Sequence, residues 1–129
     1  MADYKLTVAG LGPGDAGLIT RETWARIEAA EHILLRTRIH PTVEALDAAG
    51  ISYETYDAFY EEADDFDLLY ERIVDDLLTR IQERDVLYLV PGSPFVAERT
   101  VQLLRERAIE EGLPLEILPA MSFLETIFA

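Results

Sequence analysis

Leu6-Thr7-Val8-Ala9-Gly10-Leu11-Gly12-Pro13-Gly14-Asp15 reads as a buried strand that empties into a glycine-rich turn. Thr20 follows as an N-cap for a helix from Arg21 to about Ala30, with Glu22 in its first turn. A strand, a flexible turn and a helix in that order can hold an anionic or nucleotide-like ligand. Glycines let the backbone approach it closely, and the helix start supplies unpaired N–H groups and a partial positive charge.

The same alternation continues outward. His32 to Leu35 is a short apolar run, and Pro41 to Ala49 has helical spacing at Val43, Leu46 and Ala49, with Gly50 as the stop. Ile51 to Tyr56 alternates Ile51, Tyr53 and Thr55 with Ser52, Glu54 and Tyr56, which predicts a third, half-exposed strand. Leu69, Tyr70, Ile73, Val74, Leu77, Leu78 and Ile81 lie on one face of a helix that begins at Phe66. Val86 to Val90 is a fourth strand, broken by Pro91-Gly92-Ser93-Pro94. Ala97, Val101, Leu104, Ala108 and Ile109 mark a helix ending near Gly112, Leu115 to Leu118 is a fifth strand, and Met121 to Phe128 resembles the start of another helix. Continuous apolar strands between amphipathic helices predict an α/β fold with a parallel sheet of about five strands covered on both faces. Ligands of such sheets sit outside the carboxyl ends of the strands. Three of those ends carry unusual turns, Gly10 to Asp15, Pro91 to Pro94 and Pro119 to Ser122, which could line one cleft.

Composition narrows the partners. The 129 residues suit one domain, which buries roughly two thirds of its unfolded surface. Lys and Arg number 11 against 25 Asp and Glu, for a formal charge of −14, which repels a nucleic-acid backbone. No apolar stretch approaches the ~20 residues of a membrane span. The Met-Ala-Asp-Tyr-Lys start lacks the marks of a signal peptide, and the absence of cysteine removes disulfides and thiolate zinc sites, so a cytoplasmic setting is expected.

The first turn is not a P-loop, because Asp15 and Ala16 stand where Lys and Ser or Thr are required. A dinucleotide fingerprint would need glycine at Asp15 and an acid closing the second strand, where Arg36 and Arg38 stand. Asp15 is read as a turn cap, and His32 and His40 lack paired ligand spacing, so no metal site is assigned. Asp57, Glu61, Glu62, Asp64, Asp65 and Asp67 read as a solvated loop and helix start, and Trp24 as core. Tyr53, Tyr56, Phe59, Tyr60 and Phe66 read as core or interface rather than as an apolar wall for a flat substrate.

Gly12-Pro13-Gly14-Asp15 with Leu18-Ile19-Thr20, then Gly92-Ser93-Pro94-Phe95, then Leu118-Pro119-Ala120-Met121-Ser122, resembles the amino-terminal half of the tetrapyrrole methylases, S-adenosylmethionine-dependent enzymes. Arg36-Thr37-Arg38-Ile39-His40-Pro41 and Val96 to Leu104 look most like the YabN branch, in which a methylase-like region precedes a MazG nucleotide pyrophosphohydrolase domain. The resemblance spans essentially the whole chain. It implies that residues 1–129 are an amino-terminal cofactor-cleft domain whose carboxyl-terminal partner domain is absent from this chain, and that the fragment alone is inactive. It places cofactor contacts at Pro13, at Pro91, Gly92, Ser93 and Val96, and at Ser122 and Phe123.

The implied cofactor is S-adenosylmethionine, the implied substrate a tetrapyrrole-like methyl acceptor, and the implied assembly a homodimer. No catalytic residue is nominated, because methyl transfer from a sulfonium depends mostly on positioning. Two departures stand out: the family usually has Asp where Ser93 stands and Gly where Ala120 stands. They motivate an alternative, a catalytically inactive ligand-sensing or dimerising module attached to a MazG-type pyrophosphohydrolase.

Overall fold

The computed structural model describes residues 4–96, 98–122 and 124. Five strands form one wholly parallel sheet in the order β3-β2-β4-β1-β5. They are β1 (Leu6–Gly10), β2 (Ile33–Leu35), β3 (Glu54–Thr55), β4 (Val86–Val90) and β5 (Leu115–Leu118). The helices are α1 (Arg21–Ala29), α2 (Val43–Ala48), α3 (Asp57–Glu62), α4 (Phe66–Arg80) and α5 (Arg99–Glu111).

The pleat sorts the continuous apolar strands into two cores. Leu6, Val8, Leu34, Val86, Tyr88 and Val90 face α4 and α5, whose Ile73, Leu77, Val101 and Leu104 complete one cluster. Ala9, Ile33, Leu35, Leu87, Leu89 and Leu118 face the other way, onto Ile27 of α1 and Val43 and Leu46 of α2. Burying each such leucine or valine contributes about 1.5–3 kcal/mol. The chain advances from β1 through β2 to β3 with α1 and α2 on one face, then returns through β4 to β5 with α4 and α5 on the other. Reversing the direction of travel moves right-handed crossovers to the opposite face, so β1 and β4 lie side by side while their outgoing connections diverge. In open parallel sheets such a divergence marks the carboxyl ends of the two strands as the place where ligands bind.

Helix boundaries follow local chemistry. Thr20 Oγ1 accepts from the Thr23 N–H at 3.1 Å, and Asp65 accepts from the N–H groups of Asp67 and Leu68. Gly112, at φ 64°, ends α5 in the left-handed conformation.

Two expectations need correction. The third strand is only Glu54–Thr55, because β3 is an edge strand paired with β2 at two residue positions and Ile51 to Tyr53 make no ladder bonds. The acidic stretch holds an unexpected helix, α3, which packs Phe59, Tyr60 and Ala63 against the first core. It is a single short amphipathic segment, too short to show a helical period. The segment Met121 to Phe128 lies mostly outside the described residues.

Candidate functional site

The turns after β1 and β4 are joined. Beyond the last ladder residues, the Leu11 N–H donates to the Val90 carbonyl at 2.8 Å, the Gly12 N–H to Gly92 at 3.1 Å and the Gly92 N–H to Gly12 at 2.9 Å. Gly12 and Gly92 thus form an antiparallel bridge at the end of two parallel strands. Both carry positive φ, 77° and 67°, so glycine is the residue that allows each chain to fold back on the other. The third turn closes on the same point. A Cβ on Gly10 would overlap the Gly92 carbonyl oxygen and would meet the Ala120 methyl at 2.7 Å and Pro94 Cδ at 3.0 Å. The three strand-end turns expected from sequence therefore converge over Gly10. Among the described residues, no neighbouring atom lies within 4 Å of a Cβ position on Gly92, so they leave open space beside the clasp.

Pro13, Pro91, Gly92 and Val96 are half-buried around this clasp, while Ser93 and Ser122 are buried. Ser93 Oγ accepts from the Phe95 N–H at 3.2 Å, and Ser122 Oγ accepts from the Leu124 N–H at 3.2 Å. Both hydroxyls thus shape their own turns. Phe123 lies outside the described residues. Asp15 Oδ1 accepts from the Gly17 N–H at 2.8 Å and caps a single 3-10 turn, Ala16–Leu18.

A fourth strand end also reaches the clasp. After β2 the chain returns toward the first turn, where His40 Nε2 lies 3.1 Å from the Gly12 carbonyl and Thr42 Oγ1 donates to the Leu11 carbonyl at 3.4 Å. Burial holds the His40 imidazole below its ordinary pKa, and the Arg36 charge acts the same way against the opposing pull of the Gly12 carbonyl. In the sequence His40 stands out only within the Arg36 to Pro41 phrase and as a histidine without paired ligand spacing, and neither signals this tethering contact, which joins residues 28 apart.

Behind the clasp lies a buried polar chain that sequence reading missed. Arg36 Nε faces Glu98 Oε2 at 3.3 Å and Arg36 NH1 donates to the Tyr60 hydroxyl at 3.2 Å. Thr100 Oγ1 donates to Glu98 Oε1 at 2.8 Å and lies 2.9 Å from the Tyr88 hydroxyl. Burial raises the Glu98 carboxyl above its usual range, opposed by Arg36 and Thr100. The Arg36 charge survives burial because Glu98 and Tyr60 face it. This chain ties β2 and α3 to the start of α5, fixing the backbone that leads away from the second turn.

The aromatic residues do not form one wall. Tyr56 is core, packed edge-on to Phe59 at 5.1 Å and donating to Asp76 at 2.6 Å. Tyr53 donates to Asp47, and exposed Phe66 stacks on Tyr70. Asp57 accepts from Thr37 Oγ1 at 2.6 Å and from the Arg38 N–H at 2.9 Å, and these bonds outweigh burial to hold its pKa below the usual value. Among the described residues, no group of three or more His, Asp or Glu is placed to hold a metal ion, and no helix is long and apolar enough to cross a membrane.

The sequence profile of the tetrapyrrole (corrin/porphyrin) methylases matches residues 5–129. The chain belongs to the tetrapyrrole methylase family. It is 40% identical over 124 residues to the uncharacterized protein YabN of Bacillus subtilis, a match covering 96% of this chain and 25% of YabN. Among solved structures, uroporphyrin III C-methyltransferase from Thermus thermophilus superposes with a TM-score of 0.70 at 23% identity, covering 93% of this chain and 46% of that one. The same enzyme complexed with S-adenyl homocysteine gives a TM-score of 0.64 at 19% identity, over 93% of this chain and 46% of that one. A diphthine synthase gives 0.68 at 22%, over 91% of this chain and 44% of that one. The methylase fold is thus shared, and this chain spans a quarter of YabN and under half of each solved relative.

Proposed function

We propose that this chain is the amino-terminal, cofactor-cleft half of an S-adenosylmethionine-dependent methyltransferase of the tetrapyrrole methylase type. The observation that carries the reading is the convergence of three strand-end turns over Gly10, with space beside Gly92 left open by the described residues at the carboxyl ends of β1 and β4, where ligands of such sheets bind. The donor set suits the ligand. Gly92 keeps the backbone bare beside open space, Gly12 holds the turn from its buried side, and Pro13, Pro91 and Val96 supply half-buried apolar contact. Ser93, Ser122 and Phe123 complete the proposed contacts.

The cofactor supplies an activated methyl group on a sulfonium with a thioether as leaving group. The clasp's role is to bind and orient, which is where most of the catalytic advantage of an in-line displacement resides. The clasp backbone is held by paired hydrogen bonds before any ligand arrives, so little ordering remains for the binding step. The methyl acceptor is tetrapyrrole-like in this reading, and its side of the cleft is shared with a second domain.

Calorimetric titration with S-adenosylhomocysteine tests the reading. Saturable heat that is lost on addition of competing S-adenosylmethionine supports it, and no heat from folded protein rejects it. A second reading, a ligand-sensing module without transferase activity, draws on Ala120, whose methyl lies over Gly10 where the family usually has glycine.

A further inference from the structure

Both ring nitrogens of His40 are committed, and they are committed to opposite kinds of partner. Nε2 faces the Gly12 carbonyl, an acceptor, at 3.1 Å. Nδ1 faces the Thr42 N–H, a donor, at 3.2 Å. One tautomer satisfies both: neutral imidazole with its proton on Nε2. The Gly12 carbonyl is the same oxygen that accepts from the Gly92 N–H at 2.9 Å. Next to it, the Leu11 carbonyl accepts from Thr42 Oγ1. Residues 40–42 thus bond both carbonyls of the β1 turn from the β2 side, and Gly12 links that strut to the β4 turn.

We infer that His40 is a positioning residue, a neutral Nε2–H strut that braces the Gly12–Gly92 clasp from the end of β2 and releases its hold when the ring is protonated. An imidazolium has two donors, and of the two groups bonded to the ring only the Gly12 carbonyl accepts. The second proton would point at the Thr42 N–H, so the ring can stay charged only by giving up the Thr42 bond and moving the 40–42 segment that holds Leu11 and Gly12. The charged groups near the ring are Arg36 and Arg38 on its own connection, Glu44 and Asp47 of α2 and Asp57 of α3. Asp57 is occupied by Thr37 and the Arg38 N–H, and Asp47 by the Tyr53 hydroxyl. Arg36 is the charge that bears on the ring, and it opposes protonation.

The strut stands on hydrogen bonds within the chain; only its effect on ligand affinity rests on the proposed function. Two readouts keep these apart. In the unliganded protein, 15N chemical shifts of the His40 ring should report the Nε2–H tautomer at neutral pH. The amide protection factors of Thr42 and Gly92, corrected for intrinsic exchange, should fall about fivefold as the ring protonates, the net worth of one hydrogen bond. His40→Gln, which can place an amide N–H near the Nε2 position, should keep Gly92 better protected than His40→Ala and should abolish the pH dependence. An Nδ1–H tautomer, protection that does not change with ring titration, or equal protection in the Gln and Ala variants would overturn the inference. In the same samples S-adenosylhomocysteine affinity should drop in parallel with protection. Absence of binding at every pH would reject the methyltransferase reading and leave the strut to be judged by the ring and amide data.

Discussion

Gly10 and Gly92 touch backbone to backbone: the carbonyl oxygen of Gly92 occupies the space in which a side chain on Gly10 would stand. The turn beyond β4 folds back over the carboxyl end of β1, and the Ala120 methyl approaches the same point from the β5 side.

The two glycines should therefore fail differently. Gly10→Ala drives a methyl into backbone and into Ala120, neither of which can swing aside, and should destabilise by about 3 kcal/mol, the upper range for overpacking. Gly92→Ala meets no neighbouring atom of the described residues within 4 Å, and its penalty is the φ of 67°, about 1–2 kcal/mol. Urea midpoints of the two variants give the ranking, and an equal shift would show that the close approach is not tight.

Ser93→Asp combined with Ala120→Gly restores the family's usual residues. An Asp side chain can still accept from the Phe95 N–H that Ser93 now holds, so the turn should survive, and removing the Ala120 methyl opens space over Gly10. Under the sensing-module reading, S-adenosylhomocysteine affinity rises markedly in calorimetry. Unchanged affinity counts against loss of function through these two positions.

Glu98 gives a pH signature. Its folded pKa is raised, so the folded protein binds more protons than the unfolded chain in the window between the unfolded value of about 4.5 and the folded value. The associated stability is complete below the unfolded value and is lost as pH rises through the folded value. Thermal midpoints of Glu98→Gln against pH should lack that decline.

Glu116 has the opposite sign. Arg26, bonded to it at 2.8 and 3.0 Å, and Lys5 at 3.1 Å depress its carboxyl to about 2. Its contribution is present above the unfolded value of about 4.5 and is lost as pH falls toward 2. Glu116→Gln should flatten the acid limb of the stability profile only slightly, because solvent screens a side chain that is a third exposed.

What was legible in the sequence follows from how each feature is encoded. β1, β4 and the face of α4 are written as runs and periods long enough to read, and the glycines at 10, 12 and 92 mark the clasp directly. The turn role of Asp15 was legible too, because an Asx cap is a contact between near neighbours. β3 was overread because an edge strand can keep an alternating pattern without ladder partners beyond two residues. The polar chain from Arg36 to Tyr88 and the His40 strut were not legible, since each joins residues 10 or more apart through side-chain geometry that no local pattern records. Arg36 stood out in the sequence as the wrong residue for a dinucleotide site and as part of the Arg36 to Pro41 phrase, but not as an ion-pair partner; the buried Glu98 that faces it is 62 positions away in the chain.

The central claim is that the Gly10, Gly92 and Ala120 turns form the ligand clasp. It is tested most directly by titrating S-adenosylhomocysteine into the 15N-labelled chain and following its amide spectrum. The account predicts saturable shifts at Gly12, Gly92, Val96 and Ser122, with the amides of α4 unmoved. Undisturbed clasp amides at millimolar ligand, or shifts confined to another part of the fold, would contradict it.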